Sequence, residues 1–180
     1  MSNGKRKGNK AERELAKWWK TWSGFEFTRV PASGGLRWKT MVNTTTSDLI
    51  CADDRHNRRF QFSIESKSYK DINFEHLILG NKNSAIRNFW DQCNTDAERS
   101  NKVPILFMRY NGMSKNTWFV VMPSYVYNLF FPTLVKFDHN RFVVSGPDNI
   151  VIMNSNDLLK TDYMKLHLTL KKLRKNDKAE

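Results

Sequence analysis

The first periodic stretch of the chain is helical. From about Asn9 to Trp22, Ala11, Leu15, Trp18, Trp19 and Trp22 recur at three- and four-residue spacing, which gathers them on one helix face. Gly24 is placed to end this helix by taking the left-handed conformation that other residues avoid. The Gly- and Lys-rich residues 1–8 are expected to lie outside it as a mobile terminus. Phe25–Val30 then reads as a strand closed by Pro31, and Ala32–Thr46, with Ser33-Gly34-Gly35 and Thr44-Thr45-Thr46, as a long loop of the kind that often carries function. Asp48–Ala52 is a short apolar strand, Asp53–Arg58 a turn, and Arg59–Ser68 a strand with clean two-residue alternation. Helices are expected around Phe74–Leu79 and Ser84–Arg99, and strands Val103–Arg109 and Thr117–Met122 should pair around Asn111-Gly112. Beyond Pro123 the pattern predicts aromatic loops, two short strands (Arg141–Ser145 and Asn149–Met153) and a basic amphipathic C-terminal helix. With no repeat and no linker, the 180 residues read as one domain.

Charge narrows the class of partner. The net charge is +12, which favours a polyanion, either nucleic acid or an anionic membrane. Residues 1–39 hold ten Lys/Arg against three acids, a net +7, and a second cluster (Lys171, Lys172, Arg174, Lys175, Lys178) lies in the tail. Charge concentrated on particular segments is the footprint of phosphate binding. No run approaches the ~18 apolar residues that span a membrane. Cys51 and Cys93 form no CxxC pair, no Cys/His cluster has zinc spacing, and both read as reduced core residues of an intracellular protein, of cellular or viral origin.

Two features carry candidate chemistry. At about 100° per residue, Glu12 falls inside the arc occupied by Leu15, Trp19 and Ala16, while Arg13, Lys17 and Lys20 form a basic stripe beside it. A carboxylate aimed at a core is costly unless it is paired or holds a metal; a half-exposed Glu bridging to a Lys is the simpler reading of this feature alone. In the strand Arg59–Ser68, Phe60, Phe62 and Ile64 face one way and Gln61, Ser63, Glu65 and Lys67 the other. Asp48 opens the preceding strand, so Asp48, Glu65 and Glu12 can converge. Clustered carboxylates repel one another unless a hard cation such as Mg²⁺ is present, and a Lys beside them can orient water or offset charge on a phosphate. A lone Glu-x-Lys is ordinarily a surface pair, so the reading rests on the combination.

The segments Lys7-Gly8-Asn9-Lys10-Ala11-Glu12-Arg13-Glu14-Leu15, Gly24-Phe25, Arg29-Val30-Pro31-Ala32-Ser33-Gly34, Ser47-Asp48-Leu49-Ile50 and Ile64-Glu65-Ser66-Lys67-Ser68 follow in order. Over about residues 5–70 they resemble the archaeal-type Holliday junction resolvase branch of the PD-(D/E)XK nucleases. The resemblance implies an α/β, restriction-endonuclease-like fold with a mixed central sheet flanked by helices. It implies a catalytic core over about residues 7–122 and a C-terminal elaboration from 123 to 180. It further implies a homodimer that cuts DNA at four-way junctions using Mg²⁺, with Mn²⁺ as a substitute. Glu12, Asp48 and Glu65 match the family's metal-binding acids, Lys67 its lysine, and Ser33 its loop serine, implicated in catalysis or junction contact. Arg29 matches the arginine that precedes that serine. Ser47 stands where the family usually has Pro, and the chain beyond about residue 110 is longer than compact members.

The DNA contacts are accordingly expected in the first half, from Lys5, Arg6, Lys7, Lys10, Arg13, Lys17, Lys20, Arg29, Ser33, Arg37 and Lys39, and the dimer contact in the second. Arg37-Trp38-Lys39 interleaves an aromatic with cations, which suits backbone contact plus stacking as well as a loop anchor. Gln92 reads either as a surface residue or as one that orders the metal site from outside, and His56 and His76 as solvent-facing. The readings left standing are a resolvase, another PD-(D/E)XK nuclease (restriction-like, or a repair nickase), and a non-catalytic DNA-binding module. The intact set of acids argues against the last.

Overall fold

The computed structural model describes residues 3–30, 47–53, 56, 59–81, 84–131, 141–144 and 149–176, except for the side chains of 3–7, 142 and 174–176. In chain order the elements are α1 (Asn3–Ser23), β1 (Phe27–Arg29), β2 (Leu49–Cys51), β3 (Phe62–Tyr69), α2 (Glu75–Ile78), α3 (Ala85–Arg99), β4 (Val103–Tyr110), β5 (Phe119–Pro123), α4 (Ser124–Phe130), β6 (Arg141–Val144), β7 (Ile150–Asn154), α5 (Ser155–Leu158) and α6 (Tyr163–Asn176).

The strands form one mixed seven-stranded sheet in the order β1-β2-β3-β4-β5-β7-β6. Among the described strands only β3 and β4 run parallel, in register from Phe62↔Val103 to Tyr69↔Tyr110, because the crossover through α2 and α3 brings the chain back to its starting end. The other pairs are antiparallel. This is the α/β, restriction-endonuclease-like architecture expected above. The segment after Pro123 supplies β7, which pairs with β5 from Phe119↔Asn154 to Pro123↔Ile150, so it completes the sheet.

Each face of the sheet carries its own core. Along β4, Ile105 and Phe107 enter the layer under α1, α4 and α6, while Leu106 and Met108 enter the layer under α3. The first layer is aromatic: Trp19 is fully buried, with Phe27, Phe60, Phe62, Phe107 and Tyr163 at ring-centroid distances of 5.3–6.3 Å. The second holds Ile86, Phe89, Trp90 and Cys93 of α3 with Leu106, Met108, Val121 and Ile152.

Two local expectations change. Helix α1 begins at Asn3, so its residues 3–8 are helical; the lysines among them are good helix formers, and Gly4 and Gly8 weaken a helix without ending it. It does stop at Gly24, whose φ is +77° and whose N–H reaches the Lys20 carbonyl at 2.9 Å. The aromatic segment after Pro123 is helix rather than loop: Val126, Tyr127 and Phe130 are buried, and tertiary packing overrides the modest propensity of β-branched and aromatic residues. Helix α3 covers the other face of β3, where Ser63 and Glu65 are buried, as is Gln61 just before the strand. The Ala32–Thr46 loop lies outside the described residues.

Candidate active site

The site forms where β2 meets β3 on the α3 side. Leu49 pairs with Ile64, and the Asp48 N–H donates to the Ile64 carbonyl at 2.9 Å. This seats Asp48 beside Glu65, and the Ser66 N–H donates to Asp48 Oδ2 at 2.8 Å. Behind them, the buried hydroxyls of Ser47 and Ser63 lie 2.8 Å apart; Ser47, where Pro is usual, therefore has a structural task of its own.

Glu65 is almost wholly buried, at 4% exposure. Lys67, one pleat repeat on, places Nζ 2.7 Å from Glu65 Oε1. Gln92 of α3 closes the group: its Nε2 donates to Glu65 Oε1 at 3.0 Å, and its Oε1 accepts from Lys67 Nζ at 2.9 Å. The amide thus holds the carboxylate with one end and the ammonium with the other. The Lys67 ammonium also lies 5.7 Å from the Phe89 ring centroid.

The electrostatics follow from this packing. Burial, then the neighbouring Glu65 charge, pushes the Asp48 carboxyl from 3.8 up to about 7; Glu12 adds to the rise, while the Ser66 N–H and Lys67 oppose it. Burial also raises Glu65, against the pull of its Lys67 contact, and Asp96 and Glu12 push the same way. A buried Glu65 and a partly buried Asp48, held side by side with one lysine, form an under-neutralised corner, and a divalent cation suits that donor set.

Glu12 is on the inner side of α1, 18% exposed at its side chain, and acts on both other acids through space. Its carboxylate is ion-paired with Arg29 Nε, and Arg29 Nη2 also donates to Asn9 Oδ1 at 2.6 Å. Among the described residues, no three His, Cys, Asp or Glu side chains gather closely enough to hold a metal ion; Asp48 and Glu65 come together, and Arg29 holds Glu12. Arg29, read from sequence as a DNA contact, is turned inward to Glu12 and Asn9. Lys10, Arg13, Lys17 and Lys20 are exposed along α1, with Lys20 ion-paired to Glu26. Glu14 pairs with Arg109, whose guanidinium lies 5.5 Å from the Trp118 ring. Lys5, Arg6 and Lys7 are in α1 with side chains outside the described residues, and Ser33, Arg37 and Lys39 lie outside them altogether.

Gln92 was the functional candidate most easily passed over. Its only signal in the sequence is a place on the helix after the Glu65-x-Lys67 strand, and the contacts that matter span 25 residues or more. No helix among the described residues is long and apolar enough to cross a membrane. A family model described as "Phage putative PDDEXK endonuclease" matches residues 3–161. No curated protein matches the chain.

Proposed function

The chain belongs to the phage PD-(D/E)XK endonuclease family whose model it matches, and we propose that it is a divalent-metal-dependent endodeoxyribonuclease acting on branched DNA, a resolvase of four-way junctions; family membership supports the nuclease, and the resemblance of residues 5–70 to junction resolvases supports the branched substrate. The observation that carries the nuclease reading is the corner of Asp48 and Glu65, one partly and one almost wholly buried acid with raised pKa values beside Lys67 and Gln92. A Mg²⁺ or Mn²⁺ ion held there by Asp48 and Glu65 would supply an activated water and offset charge on a phosphate oxygen, with Glu12, paired to Arg29, acting on the site through space. Lys67, fixed by Glu65 and Gln92, is the cation placed to bear charge developing on the scissile phosphate. Lys10, Arg13, Lys17 and Lys20 on the exposed side of α1 would take flanking phosphates, giving salt-dependent affinity with little base preference.

Resolution of a two-fold junction needs two symmetric cuts, which a C2 homodimer with one site per subunit provides. The second half of the chain offers apolar surface for it: Met164 and Leu168, one turn apart on α6, and Val143 on the edge strand β6 are 44–51% exposed. The test is a four-way junction with separately labelled arms and a linear duplex, each incubated with Mg²⁺ or EDTA, alongside mass by light scattering. Paired symmetric cuts by a dimer in Mg²⁺ alone are expected. A monomer that nicks linear duplex as readily as a junction would overturn the resolvase reading and leave the nuclease one. Failure to cut any DNA in Mg²⁺, or in Mn²⁺ in its place, would overturn both.

A further inference from the structure

The alternation of β3 continues past the site, and what it presents next is aromatic. Glu65, Lys67 and Tyr69 share one face at steps of about 7 Å, and Tyr69 is 48% exposed. The parallel register sets Tyr110 of β4 directly beside Tyr69, 39% exposed on the same face. Both rings are braced from behind. Tyr69 rests on Phe89 of α3, centroids 4.6 Å apart; Tyr110 stacks on Phe119 at 6.3 Å and 24°; Phe119 is backed by Phe74 at 4.9 Å. Phe89 also lies under the Lys67 ammonium, so this row and the site are one continuous surface.

We propose that Tyr69 and Tyr110 form a stacking platform for an unpaired base of the strand that is cut. This deepens the function proposed above and rests on it. The occupant follows from three properties of the place. It adjoins the residues assigned to the scissile phosphate. Lys67 and the exposed Lys70 flank Tyr69 in a chain of net charge +12, which favours a polyanion. And rings already fixed by packing lose little freedom when a base stacks on them. A base inside a continuous duplex has both faces covered by its neighbours and has none to offer. The platform therefore selects DNA with an unstacked nucleotide next to the cut, such as a branch point, flap or single strand.

The test uses full-length Asp48→Asn protein, which should bind without cutting. Affinities are measured for a fully paired duplex and for the same duplex carrying one unpaired 5-iododeoxyuridine, followed by photocrosslinking and mass spectrometry. The expected result is a crosslink at Tyr69 or Tyr110. Tyr69→Leu, which keeps an apolar contact to Phe89, should lose roughly tenfold in affinity for the unpaired-base DNA only, and Tyr69→Phe should lose little. Equal losses on both DNAs, no loss on either, or a change in oligomeric state without a DNA effect would overturn the platform. If the wild type cuts no DNA yet the crosslink and the selective loss appear, the nuclease reading fails and the base-binding site stands.

Discussion

On the α1 side of the sheet, Trp18, Trp19 and Trp22 of the helix meet Phe62, Phe107 and Trp118 in a layer whose members are at most 8% exposed. On the α3 side the same strands present Glu65, Lys67, Tyr69 and Tyr110, and α3 answers with Gln92 as well as apolar residues. Both faces are covered, yet the first is built mainly of packed rings, with Glu14 and Arg109 paired beside Trp118, and the second keeps a buried carboxylate and half-exposed rings. Since β3 alternates strictly, the same eight residues supply Phe62 and Ile64 to the first face and Glu65 and Lys67 to the second. The first face is where stability should reside; under the function proposed above, the second gives up stability to hold charges for a hydrolytic reaction.

That contrast can be broken by substitution. Asp48→Asn, Glu65→Gln or Lys67→Ala should each reduce cleavage at least about a thousandfold, equivalent to about 4 kcal/mol of transition-state stabilisation, and leave DNA binding and the fold largely intact. Near-normal cleavage by any one of them would remove that residue from the site. Trp19→Ala, on the opposite face, should cost about 3–5 kcal/mol of stability in denaturant titration with cleavage by the remaining folded protein little changed. A small loss would mean that the aromatic layer does not carry the fold.

The pH dependence of stability sharpens the comparison from the other side. A carboxyl whose pKa is higher folded than unfolded binds its proton more tightly in the native state. Its contribution therefore falls as pH rises, here from about 4, the unfolded value, to about 7, the Asp48 value in the fold. Without divalent cation, the wild type should lose a few kcal/mol at most over this window. Asp48→Asn should lose less and be the more stable protein at pH 8. Parallel stability profiles for the two would show that Asp48 is not strained by its surroundings.

Gln92→Ala should have the smallest effect. Removing the amide frees Glu65 and Lys67 without deleting either, so kcat should fall about tenfold while KM and DNA affinity hold. A change in KM alone would make Gln92 a substrate contact instead of a positioning residue.

How far this was legible in the sequence depends on the range of each interaction. Periodicity alone placed Leu15, Trp18 and Trp19 in the core and put Glu65 and Lys67 on one side of β3, because both are consequences of local geometry. The order of motifs from Lys7 to Ser68 points to the PD-(D/E)XK nucleases from the sequence alone. Other features needed the tertiary structure. Arg29 looks like any basic residue until the sheet brings it to Glu12, 17 positions away. Gln92 looks like a surface amide until α3 docks across β3. Helix α4 is written in residues of modest helix propensity and exists because Val126, Tyr127 and Phe130 find a core to enter. Tyr69 and Tyr110 become neighbours only through the parallel pairing of β3 and β4.

The central claim is that Asp48 and Glu65 are held together to bind a divalent cation. Titration calorimetry with Mn²⁺ near pH 6.5, repeated in buffers of different ionisation enthalpy, tests it most directly. Because Asp48 titrates near 7 in the free protein, binding should expel protons into the buffer. Both the binding and the proton release should disappear in Asp48→Asn and weaken in Glu65→Gln. Absence of binding at millimolar Mn²⁺, or equal binding by wild type and Asp48→Asn, would contradict it.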